Sequence, residues 1–224
     1  MSNKVNRREQ EDEKATLVKF GQYEHICQLR DQGLLYMNTL LYFRQIEDEE
    51  LRGDKFEGVA DVKRGNSGKV TPQNDPENQF MVSRWEIRRD LPQLEKINVF
   101  CMCAVRPSVG TFPVDKRNFR FGDYALILTN PQEFIDRISS QLESQNINHK
   151  ANLVEYISNY VGEVGPFRKL KDFAYQSEWR LVCYNGPSKE RDDIRIGSIK
   201  DICIVVKSNE VNQRLSILLT GAST

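Results

Sequence analysis

The chain has 224 residues and carries 32 basic against 32 acidic side chains, so its formal net charge is zero. No global field draws it to nucleic acid or to an anionic membrane, and any basic patch must be local. No apolar run approaches the ~20 residues needed to span a bilayer, and the charged start is unlike a signal peptide. The five cysteines (Cys27, Cys101, Cys103, Cys183, Cys203) are odd in number and lie in apolar runs, as free thiols of a reducing cytoplasm do. His25 and His149 are the only histidines, which argues against a His-rich metal site or a Ser–His–Asp triad. We therefore expect a cytoplasmic protein with one domain over residues 15–224, behind a flexible polar tail at 1–14.

In chain order, residues 17–20 read as a strand and 23–32 as a helix stopped by Gly33. Residues 34–38 read as a strand, 40–49 as an aromatic helix and 53–58 as a loop. The stretch 64–78, rich in Gly, Asn, Ser and Pro, reads as a long exposed loop. Strands are expected at 80–87, 97–105 and 124–128, then a helix from Pro131 to about Glu143. Residues 151–160 suit a helix or a strand. A strand within 173–184, a hairpin at Asn185-Gly186-Pro187, short apolar runs at 194–196 and 199–206, and a helix at 209–219 complete the chain. Strands and helices do not alternate regularly. That pattern predicts an α+β fold with a mixed or antiparallel sheet rather than a doubly wound parallel one. Neither a P-loop nor G-x-G-x-x-G is present.

The most informative stretch is Tyr175-Gln176-Ser177-Glu178-Trp179-Arg180. In an extended backbone, side chains at i and i+2 share a side. Gln176 and Glu178 would then face one cleft, while Trp179, Leu181 and Cys183 face the core. A carboxylate there can steady a sugar cation, and the amide can orient an acceptor. The plainer alternative is a strand-edge Glu178 paired with Arg180, worth little at a surface.

Three segments taken together resemble a known group: the strand–helix–strand opening from Leu17 to Tyr36, Tyr42-Phe43-Arg44 with the loop Gly53-Asp54-Lys55-Phe56-Glu57-Gly58, and the late Glu178-Trp179-Arg180 strand. The chain resembles an uncharacterised bacterial domain of toxin and antiphage defence systems. Its layout is similar to that of the ADP-ribosyltransferase superfamily. The resemblance implies a split antiparallel sheet with flanking helices gripping NAD. It makes Glu178 the catalytic carboxylate and Gln176 the acceptor-orienting residue. Lys19 and Phe20 become nucleotide contacts on the first strand, and Tyr36, Asn38, Tyr42 and Phe43 a nicotinamide wall. Lys19 stands where Arg or His is expected, and supplies a point charge without a guanidinium fork. The resemblance also implies a partner that masks a toxic activity, such as an antitoxin.

On their own, aromatics such as Tyr36, Tyr42 and Phe43 fill cores more often than they line cofactor sites. Two basic clusters with interleaved aromatics suit nucleic acid: Arg168, Lys169 and Lys171 beside Phe167 and Phe173, and Arg84, Arg88 and Arg89 around Trp85. A solvated charged face is the alternative for both. The acceptor of a transferred ADP-ribose would be RNA, DNA or protein. Two further readings remain: a non-catalytic nucleic-acid- or protein-binding module, and a metal-dependent nuclease using Asp54 and Glu57. More simply, Glu57 pairs locally. His25 is expected exposed or capping its helix.

Overall fold

The computed structural model describes residues 15–46, 56–184 and 194–220. In chain order the elements are β1 (Thr16–Gly21), α1 (Tyr23–Gln32), β2 (Asn38–Thr39), α2 (Leu40–Gln45), β3 (Val59–Val70) and β4 (Phe80–Asp90). Next come β5 (Asn98–Val105), β6 (Tyr124–Leu128), α3 (Pro131–Ser144), β7 (His149–Leu153), β8 (Glu155–Ile157) and β9 (Gly162–Glu163). The described chain ends with β10 (Arg168–Leu170), β11 (Glu178–Cys183), β12 (Cys203–Lys207) and α4 (Val211–Thr220). The fold is α+β.

The main sheet runs β12-β6-β1-β5-β11-β7, antiparallel throughout, and β2 also pairs with β5. Strict alternation sends its side chains to two faces. Leu17, Phe100, Met102, Leu126, Trp179 and Leu181 pack on one face beneath Ile26 and Leu29 of α1 and Phe134, Ile138 and Leu142 of α3. Val18, Phe20, Cys103, Val105 and Ile127 pack on the other beneath Val211 and Leu215 of α4. Trp179, Leu181 and Cys183 face the core as the alternation requires.

Two helices show how local chemistry fixes their ends. Gly33 caps α1 in the left-handed region, at φ 63°; its N–H donates to the Leu29 carbonyl and the Leu34 N–H to the Gln28 carbonyl. A Cβ there would meet the Gly197 carbonyl oxygen at 2.1 Å, so no other residue fits. α3 starts with Asn130, whose side chain accepts from the Glu133 N–H at 3.1 Å, followed by Pro131 in the first turn.

The main departure from expectation is 64–78. Residues 64–70 are not loop but part of β3, which forms a long antiparallel ribbon with β4 in constant register from Asp61↔Arg89 to Val70↔Phe80; residues 71–78 keep the mostly exposed loop expected there. Gly65 and Gly68 belong to it because Trp85 lies against them; a Cβ at either would stand 2.6 Å from the indole. Residues 151–157 are strand, not helix. The strand expected at 34–38 shrinks to β2 and an isolated bridge, Leu34↔Arg195. The run at 199–206 opens with a 3-10 turn, Lys200–Ile202, before β12. The helix expected over 40–49 stops at Gln45, where Ile46 turns extended; the polar tail, Asp54 and the Asn185-Gly186-Pro187 hairpin lie outside the described residues.

The sheet opens at one point. β1 pairs with β5 at Thr16, Leu17 and Val18, then continues from Lys19 to Gly21 paired with β6 alone. β2 takes the other end of the same β5 edge, at Val99 and Asn98. Between them the edge at residues 100–102 is left without a strand partner, and Lys19 Nζ donates to the Cys101 carbonyl there at 2.7 Å.

Candidate active site

A cavity of about 530 Å³ fills this opening. That lies within the ~300–1,000 Å³ typical of small-molecule sites. Its lining joins Lys19 and Phe20 of β1, Tyr36 and Asn38 around β2, Tyr42 and Phe43 of α2, and Gln176 and Glu178 at the start of β11. All eight sequence-derived catalytic and cofactor-site residues therefore meet in one place. Lys19 also stands 4.4 Å over the Phe100 ring. Tyr36 stacks on His25, centroids 5.5 Å apart and planes 9° from parallel. His25 is exposed, as expected, but lines the cavity too.

Gln176 and Glu178 reach the cavity by a route the extended-strand argument did not contain. Gln176 ends a 3-10 turn, Lys171–Gln176, and Ser177 adopts the left-handed conformation at φ 42°. A non-glycine residue holds that conformation at a cost. Here β5 secures it: the Ala104 N–H donates to the Ser177 carbonyl at 2.6 Å, and Ser177 Oγ donates to the Ala104 carbonyl at 2.7 Å. Buried Asn118 donates to the Tyr175 carbonyl at 2.7 Å and fixes the preceding turn.

Beneath the aromatic wall lies a buried charge network. Arg180 bridges two carboxylates, with Nε 2.8 Å from Glu178 and Nη1 2.6 Å from Glu57. Nη1 also donates to the Pro166 carbonyl at 2.5 Å. Lys169 Nζ stands 2.9 Å from Glu178 Oε2 and donates to Gln176 Oε1 at 3.1 Å. The four charged side chains are only 3–7% exposed and balance one another. The Cys101 thiol also hydrogen-bonds the Glu178 carboxylate. The backbone N–H of Glu178 donates to the Tyr156 hydroxyl at 2.9 Å.

The environment sets the protonation states. Burial works against the Glu178 charge, but Arg180 and Lys169 outweigh it and hold the carboxyl well below its ordinary range. Burial likewise opposes the Lys169 charge, and Glu178 outweighs it, so the ammonium stays protonated. Burial, reinforced by Glu178, pushes the Cys101 and Cys103 thiols up to about 12. They are therefore poor nucleophiles at neutral pH. Tyr156 is raised by the same two causes and stays a neutral phenol.

Several expectations are corrected here. Glu57 does not pair locally; its partner Arg180 is 123 residues away in sequence. The Glu178–Arg180 pair exists but is buried, not at a surface. Arg168, Lys169 and Lys171 do not form one basic face. Lys169 points into the network, Arg168 pairs with Glu155 at 2.8 Å, and Lys171 is exposed. Among the described residues no group of three or more His, Cys, Asp or Glu side chains could hold a metal ion. None of the described helices is long and apolar enough to cross a membrane. The chain matches no protein-family model, no curated protein and no solved structure.

Proposed function

We propose that this chain is an NAD-dependent ADP-ribosyltransferase, an effector of toxin or phage-defence type that works in the cytoplasm under a masking partner. One observation carries the reading: residues from three distant stretches, 19–43, 57 and 169–180, converge on one cavity with an ionised carboxylate at its floor. In this reading the nicotinamide–ribose bond breaks with its electrons leaving on nicotinamide, and positive charge builds on the ribose. Glu178 Oε2 accepts a hydrogen bond from a ribose hydroxyl and stabilises that charge as it develops. Gln176, braced by Lys169, orients the acceptor. Tyr36, Asn38, Tyr42 and Phe43 hold the aromatic leaving group, and Lys19 and Phe20 the nucleotide.

The test incubates wild type and Glu178→Gln with labelled NAD and cell extract, then divides each sample between nuclease and protease. Label should transfer with wild type and fall on the order of 100-fold or more with the variant. The digestion that removes it identifies the acceptor as nucleic acid or protein. Folded wild type that labels nothing would sink the proposal.

A second reading has its own support. Glu178 already faces two cations, which weakens the field it offers a new positive charge. A non-catalytic binding module needs no such field, and its Glu178→Gln variant would bind as wild type does. The nuclease reading gains nothing from Glu57, whose two oxygens are both engaged by Arg180.

A further inference from the structure

The β3–β4 ribbon stands apart from the rest of the molecule. Among the described residues it is tied down at its root, where Val59 and Val62 are buried with Phe56 and Tyr160, and where β9 pairs with Asp61 and Val62. Beyond Val62, both strands pair only with each other among the described residues. At ~3.3 Å per residue, strands of 12 and 11 residues extend roughly 40 Å.

Its charge is uneven in a chain whose net charge is zero. Between residues 62–70 and 80–89 the ribbon carries Lys63, Arg64, Lys69, Arg84, Arg88 and Arg89 against one acid, Glu86. Glu86 is shared by Arg64 and Arg88, each at 2.5 Å. Arg89 stands opposite Asp61 at the root. Lys63, Lys69 and Arg84 are exposed and make no ion pair with any described residue. The remaining acids lie at the ends: Asp61 and Asp90 at the root, Asp75 and Glu77 in the connecting turn.

We infer that this ribbon is a nucleic-acid-binding arm whose occupant is a duplex, held through its phosphates. Charge complementarity selects a polyanion. The duplex follows from two features. Trp85 is not free to act as a stacking platform for single strands: its ring packs on Gly65 and Gly68, and its Nε1–H donates to the Ser67 carbonyl at 3.0 Å. A two-stranded ribbon also fits the roughly 12 Å wide major groove of B-DNA, and its free part, residues 63–70, spans roughly 26 Å of the ~34 Å helical turn. The arm shares its root with the cavity: Arg44 binds Asp90 of β4 in a bidentate pair and donates to the Glu57 carbonyl at 2.7 Å. The inference does not depend on the cavity's chemistry.

The test is fluorescence anisotropy of a labelled duplex about two helical turns long, titrated with the full chain across a salt series. The affinity should fall linearly on a log–log plot with a slope of about −2.7 or steeper, −0.9 for each of the three free cations. The variant K63E/K69E/R84N should lose about tenfold or more in affinity at low salt and most of that slope; Asn tolerates the left-handed backbone of residue 84, at φ 53°. R168E/K171E, on the other basic stretch, should bind as wild type. If the charge reversals lower the melting midpoint, K63Q/K69Q/R84N gives the same comparison without adding acids. No salt-dependent binding, equal binding by the arm variant, tighter binding of a single strand, or equal competition by polyglutamate would each overturn the inference.

Discussion

The chain concentrates charge in two places that differ in their access to water. At the cavity floor, Glu57, Arg180, Glu178 and Lys169 are nearly sealed from solvent and balanced one against another. On the β3–β4 ribbon, cations outnumber acids and stand in water. In the first setting each charge depends on its partners, because an unpaired buried ion is very costly. In the second, water and salt screen each charge, so pairing adds little and an excess of one sign is tolerated. The same residue types are thus held in strict balance in one region and left in excess of one sign in the other.

The sharpest way to break this contrast is at Arg180, which holds two carboxylates at once. Arg180→Met keeps most of the volume and leaves Glu57 and Glu178 short of a cation. It should destabilise the protein by about 3–5 kcal/mol, read from urea unfolding at neutral pH. A loss below about 1 kcal/mol would mean that water reaches the network and that the contrast is false.

Glu178→Gln tests the same network through pH. The Glu178 carboxyl titrates below its ordinary 4.5 in the folded state. A depressed folded-state value means its stabilising contribution is fully present above about pH 4.5 and is lost as pH falls further. Wild type should therefore exceed the variant in stability at pH 7, by about 1–3 kcal/mol, and the gap should narrow steadily below about pH 4.5. Asp31, held at about 2 by Arg30 on the surface, is common to both proteins and cancels. A gap independent of pH would show that Glu178 is not ionised in the folded protein.

Legibility in the sequence follows the same division. α1 and α3 could be read because each repeats an apolar period against one core and carries its own stop or cap, Gly33 and Asn130, and β5 and β6 because both their faces are buried and they read as continuous apolar runs. The convergence of Lys19, Tyr36, Tyr42, Gln176 and Glu178 was implied by the family resemblance, and the cavity gathers all of them. What could not be read was pairing at long range. Nothing near Glu57 in the chain indicates Arg180, and nothing near Tyr156 indicates the Glu178 N–H. Lys169 sits between Arg168 and Leu170 in a run that looks solvated, yet strand alternation turns it inward. Of the ribbon, β4 was expected at 80–87, but β3 was missed because Gly65, Asn66, Ser67 and Gly68 have loop composition. The glycines make room for Trp85 across the ribbon, which only the register reveals.

That misreading yields a local test. Gly65→Ala would place a Cβ 2.6 Å from the Trp85 ring, so the indole must move. The ribbon adds little to the main core, so the damage should stay within it. Amides of β3 and β4 beyond the root should exchange faster, while those of β5 and β11 keep their protection. Faster exchange across the main sheet would make ribbon and body one cooperative unit, and the two charge environments could not then be varied independently.

The smallest effect on stability is expected at Glu86, and it is the most direct contrast with Glu178. Both carboxylates sit between two cations, with contacts of 2.5 to 2.9 Å. Distance alone would make the two substitutions equivalent. Solvent separates them: in water a pair gains little, because each partner recovers its hydration when the other is removed. Glu86→Gln should therefore leave the urea midpoint where it is in wild type. It should also release Arg64, loosen Arg88, which still lies over the Phe56 ring at 4.2 Å, and remove the one acid from the middle of the arm. Duplex binding should then strengthen at low salt, with the salt slope steepening by about 0.9 for each arginine that finds a phosphate. Unchanged stability with tighter binding is the outcome that only an exposed, attractive surface can give; a destabilised variant would place Glu86 with Glu178 instead.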